Sequence, residues 1–295
     1  MSEASSPRSI VCGVDDSGFS DHAVVAAYGL ARERDLEVRL VHASGFAGLL
    51  ERLSREDLDE ARTKTVERLA ERLVAAGFEA PQVEAQLETV DGPAARVLVQ
   101  AAESHAAALI VLGRHQGLGA VGDTVRAVLA HAPCPVLVQG AEPRPITRIL
   151  AAVDLSPESQ LVLAAARGEA LARGPEASLC VLHCFVRPDL GYVFGYPVPM
   201  PQSVVEGARE TAQREFADEV RAFDWRGVEP TLEFVEASPA AELLNRAEAT
   251  DLIVLGTHGR TGLSFSVLGG VASRVLHESE VPVLAVRAPN RTWAL

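Results

Sequence analysis

No run of eighteen or more apolar residues occurs in this 295-residue chain, and its opening MSEASSPRS carries no apolar core. A spanning helix needs roughly 20 apolar residues, and a secretion signal needs its own apolar stretch. A cytoplasmic protein with no membrane partner is therefore expected. Cysteine is scarce, four in the whole chain, which excludes a disulfide framework. Cys180 and Cys184 stand four apart in SLCVLHCF, a run that reads as a buried strand. Alternation puts both thiols on one face and His183 on the other, so core packing is favoured over a metal site. Aromatics are only 5% of a chain that is 48% hydrophobic, a balance that suits Ala- and Leu-rich helices packed on parallel strands. Positive charge is also short, with 27 Lys and Arg against 40 Asp and Glu, net -13. That disfavours nucleic acid or an anionic membrane as a bulk electrostatic partner. It leaves room for one small anion held by backbone amides. There is no G-x4-G-K-[ST], no G-x-S-x-G and no H-E-x-x-H, so Walker, serine-hydrolase and zincin chemistries have no footing.

What the chain does contain is itself, twice. IVCGVDDSG (10–18) recurs as ILAAVDLSP (149–157), and VRLVHA (38–43) as LCVLHC (179–184). GPAARVL (92–98) recurs as SPAAELL (238–244), LIVLGRH (109–115) as LIVLGTH (252–258), and PCPVLVQ (133–139) as EVPVLAV (280–286). The five matches keep their order at offsets of 139 to 147 residues, the mark of a tandem duplication. Two domains, 1–143 and 144–295, follow, with the proline-bearing segment 141–148 as linker. Each copy reads as five short apolar strands alternating with four helical stretches, such as 19–34 and 55–77. Continuous apolar strands between helices predict a doubly wound parallel sheet, five-stranded, in each copy. Ser156-Pro157 and Ser238-Pro239 read as N-caps followed by proline at the first helical position.

Ligands of such sheets sit beyond the carboxyl ends of the strands, near the switch point. In the second copy the strand DLIVLG leads into G-x2-G-x9-G-G, with glycines at 256, 259, 269 and 270. Glycines let backbone approach a phosphate, and the amides of Gly270, Val271 and Ala272 would open a helix whose amino end attracts anions. Arg260 adds a positive charge. On loop chemistry alone, a glycine-rich connection without a ligand is an equal alternative. Asp154 and Asp15 close the first strand of each copy. Either could accept from a ribose or base, or could simply be a turn aspartate.

V-D-x-S after the first strand, an L-H pair ending the second and G-x2-G-x9-G before the last strand together resemble the universal stress protein family, across nearly the whole chain. The resemblance implies a flavodoxin-like or Rossmann-like fold of the adenine nucleotide alpha hydrolase type. It implies ATP as ligand, with Mg2+ a further candidate. Carried over residue by residue, the contacts are Asp154 on the nucleoside, Cys184 by its backbone on adenine, and Gly256, Gly259, Gly269, Gly270 and Val271 on the phosphates. The family's usual Ser or Thr after the third glycine is Gly270 here, which loses a hydroxyl and keeps an amide. The resemblance also suggests that PVLVQ (135–139) lies beside PVLAV (282–286) in an intramolecular pseudo-dimer, with a homodimer of the whole chain left open.

The first copy departs further. Eight residues separate Gly113 from Gly122, against twelve between Gly256 and Gly269, and Asp123 stands where Gly270 stands. A carboxylate there suits the helix dipole and repels a phosphate. Gly117, Gly119 and Gly122 spell G-x-G-x-x-G, but in the last βα unit rather than the first, so the dinucleotide reading is weak. The paired histidines, His42 with His183 and His115 with His258, are read as loop-orienting hydrogen bonders ahead of bases or metal ligands. A regulatory module whose C-terminal copy binds ATP, acting on an unidentified protein partner, ranks first. A ligand-free scaffold ranks second, and a slow ATP hydrolase, for which no catalytic residue is assigned, ranks third.

Overall fold

The computed structural model describes residues 9–45, 54–114, 122–188, 192–193, 196–197, 200–257 and 268–287. The first half runs β1 (Ser9–Gly13), α1 (Gly18–Arg34), β2 (Glu37–Ser44), α2 (Arg55–Ala75), α3 (Ala80–Gln86), β3 (Leu87–Asp91), α4 (Ala94–Ser104), β4 (Ala107–Gly113), α5 (Asp123–His131) and β5 (Val136–Gln139). The second runs β6 (Arg148–Val153), α6 (Ser159–Arg173), β7 (Ser178–Phe185), β8 (Tyr192–Val193), β9 (Tyr196–Pro197), α7 (Gln202–Ala222), β10 (Thr231–Glu236), α8 (Pro239–Asn245), β11 (Leu252–Gly256), α9 (Gly270–Glu278) and β12 (Val283–Val286). The alternation read from the repeat is present in both halves. The short helix α3 and the β8–β9 ribbon are additions that the repeat does not contain.

Each half is a five-stranded parallel unit, in the orders β3-β2-β1-β4-β5 and β10-β7-β6-β11-β12. The two units join edge to edge into one ten-stranded sheet through β5 and β12, the one antiparallel junction in it. Val138 pairs with Val283, Leu137 with Leu284 and Val136 with Ala285, so the expected neighbouring of the two last strands is met. All eight residues of β5 and β12 are buried. Left apart, these strands would be flat apolar edges prone to aggregation.

Strand alternation sorts the core into two layers. Ile10 and Cys12 of β1 join Leu73, Ile149, Leu163 and Phe216 on one face. Val11 joins Ile110, Leu129, Ile253 and Leu276 on the other. Both layers run through both halves. The halves are also tied by charge: Arg34 of α1 meets Glu169 of α6 at 2.6 Å, and Arg173 meets the same carboxylate at 2.8 Å. The Glu169 and Arg173 side chains are only 9% and 7% exposed, so removing one partner would strand a buried charge.

One capping expectation needs correction and the other is met. Helix α6 begins at Ser159 with Glu158 as N-cap, and Ser156-Pro157 lies in the turn before it. Ser238 is the N-cap of α8 with Pro239 first in the helix, but its side chain makes no capping bond.

A Cβ at Gly113 would lie 2.5 Å from the Phe19 carbonyl oxygen, because the amino end of α1 packs on the end of β4. Backbone cannot yield as a flexible side chain can, so Gly113→Ala is expected to lose about 1–3 kcal/mol in chemical denaturation. Asp251, ahead of β11, accepts from the amides of Thr147 and Arg148 and from the Arg148 guanidinium at 2.6 Å. These donors, Arg148 first, hold its carboxyl well below the usual range. A depressed carboxyl contributes fully above its unfolded pKa of about 3.9 and loses that contribution as the pH falls through its native value. Asp251→Asn should therefore cost on the order of 1–3 kcal/mol at pH 7, and denaturant titrations should show the gap from the parent closing below about pH 4.

Candidate ligand-binding site

In the second half the sheet order reverses at β6, which lies between β7 and β11. Ala152 pairs with Leu255 of β11, and Val153 pairs with His183 of β7. The residues at the strand ends, Asp154, Cys184 and Gly256, are thereby set side by side at the switch point. A cleft of about 430 Å³ opens there, and its lining includes Asp154, Cys184, Gly256, Gly269, Gly270 and Val271. Six of the eight candidate residues thus face one space. Gly259 and Arg260 lie outside the described residues, as do His115, Gly117, Gly119 and His258.

The far wall is the amino end of α9. Gly269 is its N-cap, at φ -58 and ψ 147. The Gly269 amide donates back to the Thr257 carbonyl at 2.9 Å and pins the base of the glycine loop. The helix leaves the amides of Gly270, Val271 and Ala272 without intrahelical partners, and all three residues line the cleft. Gly269 itself lines the cleft, and two features of its backbone bear on the phosphate contact that the resemblance implies. Its φ is one that any residue adopts, and its amide is spent on the loop rather than aimed at a ligand. At Gly270 a Cβ would meet nothing within 4 Å among the described residues.

Asp154 is a turn aspartate and a cleft residue at once. Its Oδ1 accepts from the Ser156 amide at 3.1 Å and from Ser159 Oγ at 3.3 Å. The next residue, Leu155, has φ 61, a strained conformation for a branched side chain and one that tends to collect at functional sites. His183 turns away from base chemistry: its Nδ1 bonds the Val153 carbonyl at 2.9 Å, and its ring stacks on Phe216. His42 does the same to Val14 at 2.8 Å, so the paired histidines fasten the second strand to the end of the first. Sequence reading missed Glu158, Val162, Phe185 and Leu243 in the lining. Leu243 lies inside the repeated SPAAELL block and could have been found there. Asp154 and Glu158 are the charged side chains among the described lining residues. The positive potential on that wall comes from the dipole of α9.

The first half builds a smaller copy of this cleft, about 270 Å³, lined by Asp15, His42, Gly113, Gly122 and Asp123 among others. Gly122 caps α5 at φ -53 and ψ 143, nearly the geometry of Gly269. Asp123 therefore occupies the position of Gly270. The loop after β1 is clamped from outside: Arg72 donates to the Asp15 carbonyl and to Asp21, and Arg68 pairs with Asp16 at 2.8 Å. In the second half, helices α6 and α7 meet through a neutral donor on a carboxylate, Gln160 to Glu219 at 2.9 Å.

The model of the universal stress protein family matches the chain twice, over residues 7–139 and 145–287. The chain belongs to that family. A universal stress protein of Mycolicibacterium smegmatis is 30% identical, and the match covers 97% of this chain and 99% of that one. Among solved structures, a universal stress protein from Archaeoglobus fulgidus matches at TM-score 0.64 and 18% identity, covering 95% of this chain and 98% of the other. One from Pseudomonas aeruginosa matches at TM-score 0.61 and 21% identity, covering 97% and 95%. These two likenesses speak for the tandem fold alone. Among the described residues, no helix of this universal stress protein is long and apolar enough to cross a membrane.

Burial pushes the Cys184 thiol up to about 11, with the Glu242 carboxylate adding to the effect. Cys180 is raised to about 11 as well. A thiol with a raised pKa holds little thiolate at neutral pH. Iodoacetamide at pH 7.5 should label neither residue of the native protein at the rate of a free thiol, and labelling should accelerate as the pH approaches 11. Fast labelling of Cys184 at pH 7.5 would contradict the burial that sets this pKa.

Proposed function

We propose that the C-terminal half of this universal stress protein binds ATP or a related adenine nucleotide, and that occupancy regulates contacts with a protein partner. The observation that carries the reading is the cleft at the β6–β11 switch point, closed on one side by the unpaired amides of α9. A volume of about 430 Å³ falls in the range of small-ligand sites, about 300–1,000 Å³. The amides of Gly270, Val271 and Ala272 suit a phosphate group, and Asp154 at the end of β6 suits ribose hydroxyls. Cys184 would serve through its backbone, since its thiol is neutral. Gly259 and Arg260 complete the phosphate contacts on this reading. We assign the two working units to 1–143 and 144–295 and place the protein in the cytoplasm. Mg2+ would enter with the phosphates.

The N-terminal cleft is the poorer host. Asp123 puts an exposed carboxylate at the helix start where a phosphate would lie, and two like charges at ~4 Å repel by about 1 kcal/mol in water and by more where solvent is excluded. Calorimetric titration with ATP should therefore show one site per chain, and two equivalent sites would refute this asymmetry. Gly270→Ser should hold or tighten ATP, because no described residue comes within 4 Å of a Cβ there and a hydroxyl donor is worth on the order of 1 kcal/mol. Gly259→Val should abolish binding while Gly119→Val leaves it unchanged, each variant first checked for a parental unfolding profile without ligand. If folded Gly259→Val binds ATP as the parent does, the ligand-free scaffold becomes the better reading.

A further inference from the structure

The junction of the halves reaches the cleft by an indirect route. Because β5 and β12 are antiparallel, the carboxyl end of each half-sheet lies against the start of the other half's last strand. Gly113, ending β4, pairs with Gln139, and Val138 beside it pairs with Val283 at the start of β12. Arg114, the next residue after Gly113, crosses the seam. Its Nη1 donates to the carbonyl of Ser279, the C-cap of α9, and at 3.3 Å to that of His277 in the last turn. Gly140 leaves it room, since a Cβ there would stand 3.0 Å from the Arg114 Cζ. The opposite diagonal carries a similar contact: Arg287, after β12, donates to the Leu129 carbonyl of α5 at 3.3 Å. Each half thus lends a guanidinium to the carbonyl end of the helix that opens the other half's cleft.

We propose that Arg114 of the N-terminal half is a positioning residue for anion binding in the C-terminal cleft, acting through α9. The inference rests on the nucleotide reading given above. The nine residues of α9 span only about 13 Å, and the carbonyls of its last turn carry roughly half a negative charge that opposes an anion at the far end. The Arg114 guanidinium offsets that charge where burial limits screening by solvent. It also fixes the helix lengthwise, so that the amides of Gly270, Val271 and Ala272 meet a phosphate without reorganising. The Glu280 carboxylate nearby acts on the same guanidinium and tempers its field without removing the hydrogen bonds.

The test is calorimetric titration of the full chain with ATP and, separately, adenosine. The proteins compared are the parent, Arg114→Lys, Arg114→Gln and Arg114→Ala, each checked by thermal unfolding without ligand. ATP affinity should fall about three- to tenfold in the Gln and Ala variants, with most of it recovered in the Lys variant. Adenosine affinity should be the same in all four proteins, because only the phosphates meet α9. Equal losses for ATP and adenosine would mean a merely structural role and would overturn the proposal. So would unchanged ATP affinity in Arg114→Gln. Should the Gln and Ala variants fail to fold, the Lys variant decides, since loss of ATP binding despite the retained charge also overturns it. A parent that binds neither compound removes the nucleotide reading itself, and that result needs no variant to see.

Discussion

The antiparallel pairing of β5 with β12 is the contact on which the rest of the molecule depends. Each half ends its sheet on a short, wholly buried and mostly apolar strand that cannot be left as an open edge. Pairing the two strands turns two sheets into one and makes both core layers continuous. It also brings α1 against α6, where the Arg34–Glu169–Arg173 group is buried. Hydrogen bonds between β5 and β12 carry the register, and the buried charges hold the helices above it in place. A seam of this kind makes the duplication more than two domains on a string.

The two clefts show what a duplicated site does once its copies are free to differ. Both keep the strand-end aspartate, the histidine that fastens the second strand to the first, and an almost identical helix cap. They differ at the point that decides charge, glycine at 270 and aspartate at 123. They differ also in tension. The first half holds its β1 loop with arginines from α2, while the second leaves Leu155 at positive φ beside the cleft.

The five ordered matches were enough for the duplication, the parallel strands and the cleft's place at strand ends, because periodicity and the switch-point rule are local consequences of chain geometry. Asp154, Cys184, Gly256, Gly269, Gly270 and Val271 come together because they end neighbouring strands or begin the helix after one. Ser156-Pro157 misled because the same dipeptide serves a turn as well as a cap. The amide of Gly269 could not be assigned from spacing, since only a folded loop shows that Thr257 already claims it.

The sequence by itself determined the two-copy α/β architecture and the chemistry of the strand ends, for these depend on which residue types follow one another. That the two last strands are neighbours was implied by the family resemblance; only the tertiary structure decided their antiparallel sense and register, and what crosses between the halves. Arg114 shows the reason. In sequence it is one more residue after a strand, 165 positions from Ser279. An antiparallel seam brings opposite ends of two sheets together, and that makes them neighbours.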